Sequence, residues 1–304
     1  METAAGAVAP EERRLAAAGD GAPIVWRIRR ASRPRGLVVL LHGLASNMSR
    51  WAEFAAATRL ARHWSVARAD LRGHGESLHR GRIGFEAWCG DLEALLAAEG
   101  ASRAVLVGHC LGANLALHFA ARHPGKVEGL VLVEPMFRAA LAGALDRVAR
   151  LRPLFVPFVL LLRALAALGL HRRRLATLDL ERLDRETRAA MAAAGGRFPE
   201  ERYASWVEDL KSLPVSVYFQ DLLAVTAPMP ELASIAAPAL AILSRGTSLS
   251  DPAETERRLA ALPQVEIRHL DAQHWIPTEQ PEALRAAIED WVDRKMGTVP
   301  IYRL

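Results

Sequence analysis

The sequence is poor in cysteine and in lysine, and it opens without a hydrophobic leader. Its 304 residues include two cysteines and three lysines, so that 36 of the 39 basic residues are arginine. Two cysteines are too few for a disulfide framework or a thiolate zinc site, and we expect no cofactor and no metal. Residues 1–23 contain no apolar core of a secretory signal, which predicts a cytoplasmic protein.

A stripe of basic residues interleaved with aromatics is also missing, although the formal net charge is +5. Such a stripe is the usual footprint of a nucleic-acid surface, so we expect no nucleic-acid partner. The arginine-rich, alanine-rich composition accounts for the charge on its own. With 51% apolar residues, the chain has ample material for a buried core.

The most informative segment is residues 108–112, which read GHCLG. It closes the apolar run 104–107 and opens an amphipathic segment, 113–121. A nucleophile between two small residues at a strand-to-helix turn is typical of a nucleophile elbow, where Cys110 occupies the place that serine usually takes.

Apolar runs alternate with helical patterns along the rest of the chain. Residues 24–29 resemble an edge strand with one wet face, and the later runs predict buried strands. Alternation of this kind predicts βαβ crossovers and a mostly parallel central sheet with helices on both faces. The predicted strands after the first are 37–41, 65–69, 104–107, 127–133, 239–244 and 265–270, and the predicted helices of this core are 50–62, 84–99, 112–123, 253–262 and 281–295.

Four blocks stand in a familiar order: HGLA at 42–45, DLRGHGES at 70–77, the elbow, and DAQHWIP at 271–277. In this order and spacing the chain resembles the α/β-hydrolase superfamily, of the lid-bearing esterase and lipase type. The resemblance implies a flexible tail over 1–22, a hydrolase core over 23–137 and 233–304, and an inserted helical lid over 138–232.

Within the expected lid, an apolar stretch runs from residue 154 to 170 and is followed by HRRR. A membrane span needs about 20 apolar residues, and a central arginine such as Arg163 costs about 2.5–3.5 kcal/mol there. Pro157 is expected to break the segment further. We therefore expect a lid helix that lines an apolar acyl pocket or, as the alternative, an interfacial element that makes peripheral membrane contact.

Acyl transfer requires a nucleophile, a base and donors for the oxyanion. Cys110 is the candidate nucleophile, since the N-terminus of a helix favours a thiolate. His274 follows the last predicted strand on a short loop and is the candidate base. The backbone N–H groups of Leu44 and Leu111 are the expected oxyanion donors, by their position after His-Gly and after the nucleophile.

The acid of the triad has two candidates in this sequence. Most of the superfamily carries its acid after the strand at 239–244, where the nearest carboxylate is Asp251; that residue could equally be a helix N-cap before Pro252. A minority takes it from the end of the strand after the elbow helix, which is Glu134 here. A cysteine nucleophile also depends less than serine does on this residue.

The sequence thus predicts a hydrolase of ester or thioester bonds that works through an acyl-cysteine on a small-molecule or lipid-like acyl substrate. The alternatives are an acyltransferase that uses the same acyl-enzyme, and a non-catalytic binding protein on a hydrolase scaffold.

Overall fold

A computed structural model of the chain describes residues 10–193, 195–196, 198–246 and 249–297. Over these residues the sheet has eight strands in the order β1-β2-β4-β3-β5-β6-β7-β8. The pairs β1–β2 and β2–β4 are antiparallel, and the remaining pairs are parallel, as the alternation of strands and helices predicted. The strands are β1 (Glu12–Ala17), β2 (Pro23–Arg29), β3 (Leu37–Leu41), β4 (Ser65–Ala69), β5 (Ala104–His109), β6 (Val127–Val133), β7 (Ala239–Ser244) and β8 (Val265–Leu270).

Helices cover both faces of the sheet and fill the long connection between β6 and β7. Helices α4 to α8 lie in that connection. The helices are α1 (Ala52–Ala57), α2 (Phe85–Ala98), α3 (Leu111–Arg122), α4 (Gly143–Arg150), α5 (Arg152–Ala167), α6 (Leu180–Ala193), α7 (Trp206–Ser212), α8 (Val215–Val225), α9 (Pro252–Leu259), α10 (Ile276–Glu279) and α11 (Pro281–Met296). Short 3₁₀ helices stand at Met48–Trp51, Arg59–Arg62, Pro124–Lys126, Arg138–Ala140, Glu200–Arg202 and Leu232–Ser234.

The central strands carry apolar side chains on both faces, because both faces are covered. In β3 all five residues are buried, and their side chains alternate between two clusters. Val39 and Leu41 face the cluster that contains α2 and α3, whereas Val38 and Leu40 face the cluster that contains α1 and α11. This sandwich holds the carboxyl ends of the parallel strands in fixed positions, and the candidate site lies at those ends.

The N-terminal segment corrects one expectation. The sequence predicts a flexible tail over 1–22 and an edge strand over 24–29, but Glu12–Ala17 form β1 and pair with residues 23–28 of β2. The edge of the sheet is therefore β1, and β2 lies inside it. Ion pairs such as Arg68–Glu11 and Arg13–Glu76 tie this segment to the sheet. The part of the expected tail before residue 10 lies outside the described residues.

Buried polar contacts hold the α4–α8 insertion onto the core. Arg50, which follows β3, donates to both carboxylate oxygens of Asp184 on α6 at 2.5 and 2.6 Å. His74, which follows β4, lies 2.7 Å from the Asp221 carboxylate on α8, and neither side chain is exposed. The insertion is therefore fixed to the core at two separate points.

Helix α5 contains most of the long apolar stretch. In the part of the chain that the structure describes, no helix is both long enough and apolar enough to cross a membrane. The expected break at Pro157 is wrong, since this residue lies inside α5 and the helix continues through it. In a regular helix the carbonyl of Pro153 would accept from residue 157; Pro153 is an exposed residue, so water can replace the donor that the proline lacks.

Candidate active site

The turn between β5 and α3 holds Cys110 in a strained conformation. Its backbone has φ 52° and ψ −115°, a region that residues with a side chain rarely adopt and that clusters at functional sites. The flanking glycines are required sterically, since a Cβ at Gly108 would collide with the backbone of Gly112 and one at Gly112 would collide with the carbonyl of Leu41. The local sequence GHCLG therefore permits a turn that lifts the Cys110 side chain above the sheet.

His274 lies beside Cys110 on the loop between β8 and α10. Both side chains are almost fully covered, with relative exposures of 3% for His274 and 7% for Cys110. Burial by itself lowers the pKa of His274, but the nearby Cys110 thiolate and the Glu134 carboxylate outweigh burial and raise this pKa to about 10. This pKa keeps His274 protonated beside Cys110 at neutral pH.

Glu134 contacts the other side of the His274 ring. It directly follows β6, has a positive φ of 51°, and places Oε2 3.3 Å from Nδ1 of His274. Its Oε1 accepts a hydrogen bond of 2.5 Å from the backbone N–H of Ser244 at the end of β7. A carboxylate held in this way fixes Nδ1 as the donor and leaves Nε2 available for Cys110.

Asp251 lies apart from this group. Its side chain is exposed and caps α9, accepting hydrogen bonds from the backbone N–H groups of Ala253 at 2.9 Å and Glu254 at 3.3 Å. This is the N-cap arrangement that the following Pro252 also favours. Of the two acid candidates, the structure brings Glu134 to His274 and leaves Asp251 at the start of a helix.

The loop after β3 passes directly over the nucleophile turn. A Cβ on Gly43 would stand 3.2 Å from the Cβ of Cys110, so the loop backbone is close to the Cys110 side chain. Leu44 follows Gly43, and the next residue, Ala45, has a positive φ of 50°. Leu111 is the first residue of α3, where backbone N–H groups have no partner inside the helix. Both predicted oxyanion donors therefore lie on segments that border Cys110.

Two further histidines near the site serve as hydrogen-bonding supports. His42 has Nδ1 2.9 Å from the Gly43 carbonyl, and its Nε2 accepts from the Leu71 N–H at 3.0 Å, which fixes a neutral ring. His109 has Nε2 3.0 Å from the backbone carbonyl of His274. Burial keeps the pKa of both well below the usual value, and the neighbouring histidines lower it further.

Residues of the insertion complete the surroundings of His274, and the sequence pattern does not predict them. Phe198 stacks on Trp275 with ring centres 5.3 Å apart, and Tyr203 lies 5.7 Å from the same ring. The hydroxyl of Thr278 donates to Asp184 at 3.0 Å, so α10 joins the Arg50–Asp184 contact. No local pattern marks these residues, since the partners are 70 or more positions apart in the chain.

Within the described ranges, no group of three or more His, Cys, Asp or Glu side chains is placed to hold a metal ion. The groups that converge at the site are a thiol, an imidazole, a carboxylate and backbone N–H donors.

Comparison with known proteins shows the family to which the chain belongs. The profile of the α/β hydrolase fold matches residues 36–281, and the chain belongs to that family. The lipase LipV of Mycobacterium tuberculosis is 30% identical over 259 residues, which cover 83% of this chain and 91% of LipV. A thermophilic esterase from Thermogutta terrifontis, solved with malate bound, aligns with a TM-score of 0.67 at 22% identity, over 94% of this chain and 99% of that one.

Other relatives match this chain over only part of their own length. The mouse sn-1-specific diacylglycerol lipase ABHD11 is 36% identical over 97 residues, which span 32% of each chain. The chain spans only 31% to 33% of the length of six of the curated relatives that it matches. The relatives named here are a lipase, an esterase and a diacylglycerol lipase.

Proposed function

We propose that this protein hydrolyses carboxylic ester or thioester bonds of an apolar acyl substrate through an acyl-cysteine intermediate. The observation that carries the proposal is the alignment of Cys110, His274 and Glu134, in which a strained nucleophile turn meets a base whose far nitrogen is held by a carboxylate. A pure binding protein has no need of such a held imidazole.

In the first half-reaction the Cys110 thiolate attacks the acyl carbonyl carbon and a carbon–sulfur bond forms. The carbonyl oxygen becomes an oxyanion, which the N–H groups of Leu44 and Leu111 stabilise; one such donor contributes about 3–4 kcal/mol. The bond to the leaving oxygen or sulfur then breaks, and the His274 imidazolium supplies the proton that the alcohol or thiol carries away.

In the second half-reaction a water molecule attacks the acyl-cysteine thioester. His274, now neutral, takes the proton of the water, and the same two N–H groups hold the second oxyanion. The carbon–sulfur bond breaks, the carboxylic acid leaves, and the thiolate–imidazolium pair is restored.

Glu134 is the proposed acid of the triad. One of its oxygens contacts His274 and the other accepts from the Ser244 backbone. The carboxylate therefore cannot rotate freely and holds the His274 ring in one orientation. Asp251 keeps the role of a helix cap in this proposal.

The apolar core on the α2–α3 side of the sheet supports an apolar acyl group as the substrate. Cys110 belongs to the same buried cluster as Met136, Phe137 and Val217, of which Val217 comes from α8 of the insertion. The insertion acts as a lid in this proposal, because it covers a site that a substrate must enter. The names of the relatives, a lipase and an esterase, support the same substrate class.

The test is to incubate the protein with p-nitrophenyl esters and acyl thioesters of increasing chain length, and to measure turnover together with the mass of the Cys110 peptide. We expect turnover and a transient acyl mass on Cys110 but not on Cys89. Cys110→Ala serves as the inactive variant and Cys89→Ala as its matched control.

Other outcomes separate the alternatives. An adduct that clears only when an alcohol or an amine is added identifies an acyltransferase, since the acyl-cysteine is then consumed by that acceptor. If the protein binds the ester but shows neither turnover nor an adduct, it is a binding protein on a hydrolase scaffold.

A further inference from the structure

Large apolar side chains stand exposed along α5 and just beyond its end. Leu154 is 70% exposed, Leu161 is 55% exposed, and Leu168 and Leu170 are 76% and 66% exposed. An isolated exposed leucine is ordinary on a protein surface, but a continuous group on one element marks an interaction site. We call this group, Leu154, Leu161, Leu168 and Leu170, the α5 face.

The α5 face lies opposite the side of the helix that packs on the protein. Val159 and Ala166 are buried, and Phe155 and Phe158 lie 6.2 and 5.1 Å from the Phe219 ring of α8. Leu154, Leu161 and Leu168 are spaced seven residues apart, which returns to the same side of a helix after two turns. The helix is therefore seated on its inner side while its outer side stays apolar over about 21 Å.

The segment that carries the α5 face is rich in arginine, although Arg150 at its start is paired with Asp146. Residues 147–178 contain seven arginines and neither Asp nor Glu. Arg173 and Arg174 are exposed directly after the apolar stretch, and Arg147 and Arg150 precede it on α4. An apolar helix face with arginines at both ends is complementary to a surface that has an apolar interior and negatively charged groups on its outside.

We propose that the α5 face docks this protein onto an anionic lipid bilayer, with α5 lying in the plane of the interface. Trp206, 61% exposed on α7, adjoins the arginine segment through the Arg172 contact to the Leu210 carbonyl, and tryptophan is favoured at such interfaces. The proposal concerns membrane attachment and does not depend on ester hydrolysis.

A second copy of the chain fits this face less well. In a two-fold interface built on α5 the same patch meets itself, so exposed arginines that flank it, such as Arg173 and Arg174, would approach those of the other copy. An anionic bilayer provides both the opposite charge, in its headgroups, and an apolar interior.

The experiment is a flotation assay with two kinds of vesicle, phosphatidylcholine alone and phosphatidylcholine mixed with phosphatidylglycerol. We expect the wild type to bind the anionic vesicles at least about tenfold better and to be released by salt, which screens charges near the surface. Leu161→Ser combined with Leu168→Ser should reduce binding at least about tenfold, because each leucine loses apolar burial in the interface.

Matched variants separate the α5 face from general surface properties. Arg173→Gln with Arg174→Gln should weaken anionic binding about 30-fold, which corresponds to the ~2 kcal/mol that two basic residues contribute near such a surface. The controls are Leu15→Ser, exposed on β1, and Arg257→Gln with Arg258→Gln on α9; we expect neither to change binding. All variants should keep the wild-type circular dichroism spectrum, which shows that a loss of binding does not come from unfolding.

Three results would overturn the proposal: no vesicle binding by the wild type, equal binding to both vesicle types, or equal losses in the test and control variants. A dimer in solution that the Leu161 and Leu168 substitutions dissociate, without vesicle binding, would assign the α5 face to self-association instead.

Discussion

The two cysteines of this chain are both buried, yet their surroundings differ in almost every other respect. Cys89 lies in the middle of α2 and is 2% exposed, whereas Cys110 lies at a turn in a left-handed conformation and is 7% exposed. Burial raises the pKa of the Cys89 thiol to about 11, although Arg122 approaches its sulfur at 3.5 Å. Cys110 faces His274, whose pKa rises to about 10 in its presence.

The difference shows that burial does not define a nucleophile. A buried thiol in apolar surroundings stays protonated and inert, while a thiol beside an imidazole at a helix N-terminus can ionise. The backbone of the elbow and the position of His274 provide this setting for Cys110, and a helix interior provides neither for Cys89.

The largest expected difference between the two cysteines is in turnover. Cys110→Ala should lower kcat for ester hydrolysis by about four to six orders of magnitude, since it removes the attacking atom. Cys89→Ala should leave kcat unchanged and cost about 1 kcal/mol of folding stability as a small core truncation. Initial rates with p-nitrophenyl esters and urea unfolding of each variant measure both effects. Comparable losses of kcat in the two variants would contradict the assignment of Cys110.

Alkylation should separate the cysteines without a substrate. Since the pKa of Cys89 is raised by about two units from 9.0, its thiolate fraction is lowered about 100-fold. We expect iodoacetamide to label Cys110 first in the native protein and Cys89 only after unfolding, as peptide mass spectrometry would show. His274→Ala should slow the labelling of Cys110 and leave that of Cys89 unchanged, and the reverse order of labelling would refute the comparison.

Glu134 and Asp251 extend the comparison to the residue behind the base. Glu134→Gln should lower kcat about 10- to 100-fold, which is less than the roughly 10⁴-fold loss on replacing the acid of a serine triad, because a thiolate–imidazolium pair relies less on the acid. Asp251→Ala should leave kcat unchanged and cost about 1 kcal/mol of stability through the lost N-cap of α9. Steady-state kinetics and thermal unfolding separate the two roles; a larger kcat loss in Asp251→Ala would reverse the assignment.

The sequence is sufficient for the parts of the site that depend on local pattern. The GHCLG turn can be predicted because only glycines fit sterically at its two ends. The apolar runs that become β3 and β5 predict buried strands without any knowledge of the elements that pack on them. The parallel sheet follows from the alternation of strands and helices. Local pattern therefore singles out Cys110, and the resemblance of the block at 271–277 to the superfamily adds His274 as the candidate base.

The remaining features depend on partners that are distant in the chain. Glu12–Ala17 resemble a charged tail because their strand forms only by pairing with β2. The choice between Glu134 and Asp251 turns on the positive φ of Glu134 and on the Ser244 N–H, 110 residues away. Arg50 and Asp184, 134 residues apart, meet only once the insertion has folded onto the core.

The last expected effect is the pH dependence of stability. His274 contributes to it from about pH 6.5 upward, whereas the buried Cys89 thiol, whose pKa is raised from 9.0 to about 11, contributes only above about pH 9. The pKa of His274 is raised in the folded protein from 6.5 to about 10, so its contribution to folding is fully present below pH 6.5 and is lost as pH rises through about 10. The urea midpoint of the wild type should therefore fall more between these pH values than that of His274→Gln. His269→Gln, at an exposed position on β8, is the matched control and should follow the wild type. If all three proteins lose stability in parallel, the imidazolium of His274 is not held by Cys110 and Glu134, and the contrast between the two cysteines must rest on the backbone of the elbow alone.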